Sequence, residues 1–122
     1  MTPLIALLLA VQTPQAATMA GNYTATADNG TQCMLVLMPP ARRPQGAMAL
    51  MSGAAGLAAV SPDCDLPIAE TMFWQLEETG GSRIIFVDAA GDTVFTGEPG
   101  TGARQWRGVM PDGTPVMLTP SR

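Results

Sequence analysis

The sequence contains no histidine and no lysine, and each absence removes a class of chemistry. Without histidine, the chain cannot build a Ser-His-Asp or Cys-His catalytic arrangement, because these use an imidazole as the general base. Without lysine, no side chain can form a Schiff base or a Ser-Lys dyad. Charged residues are also scarce, at 13% of 122 residues, and the net charge is −4. The six basic residues are all arginines and form no basic stripe, so we expect no nucleic-acid binding.

The acidic residues are the remaining candidates for catalysis, and none of them is visibly paired. A glycosidase or aspartic-type site would need two carboxylates that meet in a cleft, and a calcium loop would need six or more oxygen ligands. Solvated acids beside turns are the common alternative. We therefore expect a protein that is not an enzyme and that needs no metal or cofactor. The acids considered are Asp63, Asp65, Glu77, Glu78, Asp88 and Asp92.

The first part of the chain has the pattern of a signal peptide. Residues 3–11 are apolar and uncharged, and small residues follow. This run is shorter than the ~20 residues that span a membrane, but it suits the apolar region of a signal peptide. We expect a signal peptide over residues 1–16, with cleavage after Ala16. No Lys or Arg precedes the run, and Pro14 is unfavourable three positions before that cut. A misplaced start codon, or cleavage elsewhere such as nearer Ala10, therefore stays an alternative.

Residues 17–122 are predicted to form one domain that is soluble and lies in the periplasm or outside the cell. Its two cysteines, Cys33 and Cys64, support export, because an even pair in a small exported domain is most economically a disulfide. A metal pair would lack further ligands, since the chain has no histidine and no other cysteine. Closing the loop between the cysteines would stabilise the fold by roughly 3–4 kcal/mol. We expect no membrane anchor.

Short apolar runs separated by turn residues predict an all-β fold. Strong turn signals lie at residues 28–30, 88–92 and 111–113. The stretch 54–60 is ambiguous between a short helical turn and an irregular crossing. About eight strands at regular spacing fit a small sandwich or an up-and-down barrel. The predicted strands are residues 22–27, 33–38, 47–51, 72–77, 83–87, 93–96, 105–110 and 115–119.

The few aromatic residues are expected to fill the core. They are spread over separate strands, which is unlike a platform for stacking a ligand. In the strand 72–77, alternation places Met72, Trp74 and Leu76 on one face. The opposite face carries Phe73, Gln75 and Glu77, and the remaining aromatics are Tyr23, Phe86, Phe95 and Trp106.

A series of short motifs follows along residues 19–120. They are Met19-Ala20-Gly21-Asn22-Tyr23, Cys33, Asp63-Cys64, Phe73-Trp74-Gln75-Leu76, an Asp-x-x-Gly turn at residues 88–91 and a final Asp112-Gly113 turn. In this order they resemble the bacterial alkaline-protease inhibitor family, which comprises periplasmic inhibitors of serralysin-type zinc metalloproteases. A related branch consists of outer-membrane lipoprotein protease inhibitors. Tyr23 stands where the family usually has tryptophan.

The resemblance implies a small eight-stranded antiparallel up-and-down β-barrel closed by one disulfide, Cys33–Cys64. It also implies an N-terminal arm that lies in the cleft of a secreted or periplasmic protease, with the free amino terminus near the catalytic zinc. Ala17, Thr18 and Met19 would then be the protease-binding residues of a monomer. The alternative is a non-inhibitory binding or scaffold module of the cell envelope that uses the same barrel.

Overall fold

The computed structural model describes residues 19–42, 53–78 and 81–121 of the chain. Within them, eight strands form one closed barrel in which each strand pairs with its neighbours in chain order. Every pair is antiparallel, including β8 with β1. The predicted eight-stranded up-and-down barrel is therefore confirmed. The strands are β1 (Gly21–Ala27), β2 (Gln32–Leu37), β3 (Ala54–Val60), β4 (Phe73–Glu77), β5 (Arg83–Val87), β6 (Thr93–Pro99), β7 (Trp106–Val109) and β8 (Pro115–Pro120).

The core is the inside of the barrel, and strand alternation decides which residues enter it. In β1, Tyr23 and Ala25 are fully buried, while Thr24 between them faces outward. An eight-stranded barrel is just wide enough for its own side chains to fill it. The largest fully buried side chains are Trp74, Tyr23, Phe86, Phe95, Met19, Leu35, Leu37, Ile68, Leu76, Ile84, Met110 and Leu118.

Three hairpin turns at one end of the barrel share one backbone design. In each turn, a glycine with positive φ donates its N–H to the carbonyl three residues earlier. An Asn or Asp side-chain oxygen accepts the N–H of the residue two positions after it, which fixes the turn locally. The predicted turns are confirmed. The glycines are Gly30, Gly91 and Gly113, and the side-chain acceptors are Asn29, Asp88 and Asp112.

The disulfide lies at the same end as these turns, which we call the disulfide end. Cys33 is the second residue of β2, and Cys64 lies in the β3–β4 connection, with 5.2 Å between their Cα atoms. The connection continues into a short 3₁₀ helix (Pro67–Glu70), whose Ile68 is completely buried against the core. The predicted Cys33–Cys64 bond is therefore present, and it fastens the connection that closes this end.

The third strand differs from expectation. The sequence pattern of residues 54–60 allowed either a short helical turn or an irregular crossing. In the structure these residues form β3. Strand β3 pairs with β2 on one side and β4 on the other, and these ladder bonds fix an extended backbone. Gly56 lies opposite Trp74, where an added Cβ would stand 2.6 Å from the indole nitrogen. The other predicted strand here, residues 47–51, lies outside the described residues.

Strand β4 begins one residue later than predicted, and this changes the placement of Met72. Its side chain is 43% exposed instead of facing the core. Its backbone instead joins neighbouring elements, since the Met72 carbonyl accepts the N–H of Ala58. Phe73 points outward and is half-buried, so the expectation of a core position is wrong for this aromatic. The expectation is confirmed for Tyr23, Trp74, Phe86, Phe95 and Trp106.

Strand β6 extends to Pro99, three residues beyond the prediction. The added residues pair with β7, with Gly97 opposite Gly108 and Pro99 opposite Trp106. The described part of the chain contains no helix with the length and apolar character that crossing a membrane requires.

Candidate functional site at the N-terminal rim

The end of the barrel where β1 begins is opposite the disulfide end. Because the strands alternate in direction, the same end collects the exit of β2, the β4–β5 connection, the β6–β7 loop and the exit of β8. We call this end the N-terminal rim. Its described residues are 19–20, 38–42, 53, 78, 81–82, 100–105 and 121. Loops held at one end of a rigid scaffold are a common location for binding residues.

Met19 anchors the chain where it enters the barrel. Its side chain is 1% exposed and belongs to the hydrophobic core. Burying a methionine side chain in this way stabilises its position by roughly 1.5–3 kcal/mol. The Tyr23 hydroxyl donates a hydrogen bond of 2.8 Å to the Met19 carbonyl. The segment that precedes Met19 therefore starts from a fixed point on the rim.

Arg104, in the β6–β7 loop, contacts the same entry point from the other side. Its Nε and Nη2 donate to the Tyr23 hydroxyl at 3.3 and 3.2 Å, and Nη2 also donates to the Ala20 carbonyl at 3.0 Å. The guanidinium carbon lies 5.2 Å from the centre of the Tyr23 ring, within the range of a cation–π contact. One exposed arginine thus connects two segments that are more than 80 residues apart in sequence (|i−j| = 81 and 84). We call Arg104, Tyr23 and the Met19–Gly21 backbone the entry clamp.

The electrostatics of the entry clamp centre on Tyr23. Burial raises the pKa of the Tyr23 phenol above its usual range, because the charged form would lose solvation. The hydrogen bond and the positive charge of Arg104 oppose this rise, since both favour the phenolate. The hydroxyl is therefore protonated at neutral pH, and it can donate to Met19 while it accepts from Arg104.

Backbone conformations on both sides of the clamp are unusual. Arg104 is the non-glycine residue that the described chain holds at positive φ, at 57°, a conformation that costs about 1 kcal/mol or more. Gly21 has φ 139°, and a Cβ at this position would stand 2.8 Å from Arg104 Nη2. Glycine at position 21 therefore leaves room for the guanidinium, which a Cβ there would crowd.

The β6–β7 loop is ordered by the side chain of Gln105. Its Oε1 accepts the N–H of Gly102 at 3.0 Å and lies 3.3 Å from the Thr101 hydroxyl. The Gly100 N–H donates to the Gln105 carbonyl at 2.7 Å, which closes the loop. Thr101, Gly102 and Ala103 at the tip are exposed. The loop that carries Arg104 is therefore held in one conformation by its own hydrogen bonds.

The predicted protease-binding residues fall on both sides of the boundary of the described chain. Ala17 and Thr18 lie outside the described residues, as does the predicted signal peptide. Met19 lies on the rim, but its side chain belongs to the core. The buried Met19 side chain is therefore not available to a protease, and only a contact through the Met19 backbone stays a prediction.

Four of the acids considered as catalytic candidates lie in connections at the disulfide end, whereas Glu77 and Glu78 lie at the other end, where β4 ends. Asp63 and Asp65 are exposed on either side of Cys64, at the disulfide end. Asp88 uses Oδ1 to accept two turn N–H groups, from Ala90 and Asp92, at 3.0 and 2.9 Å. Among the described residues, no group of three or more His, Cys, Asp or Glu side chains could hold a metal ion.

Sequence reasoning missed Arg104. Its partners lie far away in the chain, so no local spacing marks it, and a single arginine in a glycine-rich turn resembles any solvated loop charge. The only local signal is the pair Gly100 and Gly102, which indicates a tight loop.

A shallow concavity of about 420 Å³ lies on the outer wall, where β7, β8 and β1 approach the disulfide end. Its lining is mainly apolar and includes Ala27, Val116 and Met117, with Asp28 and Arg107 at its border. It is separate from the N-terminal rim, because residues 26–28 and 115–117 lie at the opposite ends of their strands.

No protein-family model matches the chain, and no curated protein sequence matches it.

Proposed function

We propose that this protein is a periplasmic or secreted proteinase inhibitor of zinc metalloproteases, and that it is not an enzyme. Its N-terminal segment would reach into the protease cleft from the N-terminal rim. The observation that carries the proposal is the entry clamp, where Met19 is buried and Arg104 holds the Ala20 carbonyl. The motif order shared with the alkaline-protease inhibitor family supports the same function.

The physical basis of inhibition is an extended peptide on a rigid support. A peptide in a protease cleft gains main-chain hydrogen bonds in the manner of an added strand. Affinity improves when the peptide is held in place before binding, because less conformational entropy is lost. The amino terminus at the zinc would offer a nitrogen ligand and no scissile bond, provided that the amine is deprotonated there.

The burial of Met19 sets the length of the arm. If the mature chain began at Ala17, only Ala17 and Thr18 would precede the anchor, and two residues reach about 7 Å at most. If cleavage occurred nearer Ala10, residues 11–18 would be free to reach about 26 Å. Arm-in-cleft inhibition therefore favours cleavage near Ala10, and the intact mass of the exported protein distinguishes the two starts.

The absence of lysine makes a clean test of the arm available. The α-amino group is the only primary amine of the chain, so acetylation with an amine-reactive ester modifies the N-terminus alone. The exported protein, with its natural N-terminus, is titrated against a serralysin-type metalloprotease with a fluorogenic peptide substrate. We expect one-to-one inhibition before acetylation and an inhibition constant at least tenfold higher after it. Mock treatment with hydrolysed reagent is the control.

Two results would contradict the proposal. Full protease activity at a large excess of unmodified protein would exclude inhibition of this class of enzyme. Equal inhibition before and after acetylation would exclude an essential free amino terminus, and would place the inhibitory contact elsewhere on the barrel.

A second candidate is a non-inhibitory binding module of the cell envelope. The apolar concavity of about 420 Å³ on the outer wall favours it, because its size and its Val116 and Met117 lining suit a small apolar molecule. Solvent extraction of the purified exported protein followed by mass spectrometry tests this function. Recovery of one hydrophobic compound in stoichiometric amount would favour it over inhibition.

A further inference from the structure

The entry clamp contains one residue whose position is unexplained by the stability of the barrel alone. Arg104 is exposed, lies in a loop and keeps a positive φ. An exposed arginine gains little from a surface contact. Strained conformations of this kind persist where the surroundings fix them, and they cluster at functional sites.

We infer that Arg104 is a positioning residue that holds the Met19–Gly21 backbone, from which the N-terminal segment leaves the rim, against the β6–β7 loop. This inference rests on the proposed function and names the residue that makes the arm effective.

The geometry supports this role in two ways. First, Arg104 Nη2 bonds the Ala20 carbonyl and the Tyr23 hydroxyl together, so the backbone between them is held from outside while Met19 holds it from inside. Second, the loop that carries Arg104 is itself closed by Gln105. The chain at the rim therefore lies beside a closed loop whose tip is exposed.

The expected effect follows from preorganisation. Without the guanidinium, the backbone of Ala20 and Gly21 would be ordered only when a protease binds. Ordering one backbone residue costs enough to weaken binding by about tenfold, and two residues by about a hundredfold. We expect the inhibition constant to rise by about ten- to hundredfold, mainly through faster dissociation.

The variant Arg104→Gly separates the side chain from the backbone. Glycine adopts the positive φ of this position without strain, so the loop keeps its shape while the guanidinium is lost. Arg104→Lys keeps the charge but cannot hold both acceptors with a planar group, and its inhibition constant is expected between those of wild type and Arg104→Gly. Arg83→Ala is the matched control, because it removes another exposed arginine whose guanidinium bonds Glu77 instead of the entry clamp.

Three readouts are measured on each exported protein: the inhibition constant, the backbone NMR relaxation of Ala20 and Gly21, and the alkaline titration of Tyr23. Tyr23 is the only tyrosine, so the ultraviolet absorbance of tyrosinate reports it alone. Because Arg104 lowers the Tyr23 pKa, Arg104→Gly is expected to raise it, whereas Arg83→Ala is expected to leave it unchanged. Circular dichroism at each pH confirms that the barrel stays folded.

The outcomes separate the positioning role from the proposed function. A higher Tyr23 pKa, faster motion at residues 20–21 and weaker inhibition together support the inference. A higher Tyr23 pKa and faster motion at residues 20–21 with an unchanged inhibition constant overturn the inference. If the wild type inhibits no protease, the proposed function fails by itself. The relaxation data then still decide whether Arg104 holds the N-terminal segment, and unchanged motion in Arg104→Gly overturns the inference.

Discussion

Replacing both cysteines should lower the stability of the barrel strongly and leave its N-terminal rim intact. The variant Cys33→Ala/Cys64→Ala removes the cross-link without leaving a free thiol. Cys33 is 2% exposed in β2, and Cys64 fastens the β3–β4 connection at the disulfide end. The expected loss of stability depends on the length of the loop that the disulfide closes. The expected integrity of the N-terminal rim depends on its distance from the disulfide end.

The magnitude follows from the sequence separation of 31 residues between the cysteines. In the chain-entropy model, a closed loop of this size stabilises the folded state by roughly 3–4 kcal/mol. A domain of about 100 residues has an unfolding entropy near 0.2 kcal/mol per kelvin, so we expect the unfolding midpoint to fall by roughly 15 °C. Loss of the buried sulfur atoms adds to this shift in the same direction.

The assay is thermal unfolding of wild type and variant, followed by far-ultraviolet circular dichroism. Wild type in the presence of reductant is the control for packing, because it keeps both sulfur atoms while the bond is broken. Protease inhibition is then measured at a temperature where both proteins are folded, and we expect equal inhibition constants.

Two results would refute the reasoning. A fall in midpoint of less than about 3 °C would mean that the bond does not constrain the unfolded chain as the loop length requires. A folded variant with weakened inhibition would mean that the functional surface extends to the disulfide end.

Three further predictions test the barrel itself. Gly108→Ala should destabilise the fold by about 3 kcal/mol in urea unfolding, because a Cβ there would overlap the β6 backbone. Gly113→Ala should cost only about 1 kcal/mol in the same assay, because the space around Gly113 is open and only its φ of 88° is unfavourable for alanine. Asp112→Asn should reduce the loss of stability in acid: turn hydrogen bonds lower the folded-state pKa of Asp112, so its contribution is present above the unfolded pKa of about 4 and disappears as the pH falls through the lower folded-state value. An unchanged acid unfolding profile would contradict this sign. Arg83→Ala should change the unfolding free energy by less than about 1 kcal/mol, since Arg83 is half-exposed in its ion pair with Glu77, and a larger loss would show that the pair acts in a wider network.

The turns and the disulfide could be predicted because their causes are local or compositional. Asn29-Gly30 and Asp112-Gly113 carry the residues that a positive-φ hairpin turn requires, whatever the rest of the chain does. Two cysteines in a chain without histidine leave few alternatives to a disulfide. Alternation placed Trp74 and Leu76 on one face for the same kind of reason, since side chains in a strand point to opposite faces in turn, and both are buried.

Strand β3 could not be assigned from its own residues. Residues 54–60 are small and apolar, with glycine at position 56, and neither a period of two nor one of 3.6 is visible. The backbone became a strand because β2 and β4 both offered unpaired hydrogen-bonding groups. Non-local pairing therefore decided this element, and with it the closure of the barrel.

The sequence by itself determined which catalytic side chains are missing, where the hairpin turns lie, that the two cysteines pair, and that the domain is all-β with about eight strands. Tertiary structure alone decided that Met19 belongs to the core, that Met72 does not, and that Arg104 meets Tyr23 at the rim. The physical reason is distance along the chain. Turn geometry and alternation act over a few residues, whereas the entry clamp joins segments more than 80 residues apart, which only closure of the barrel brings into contact.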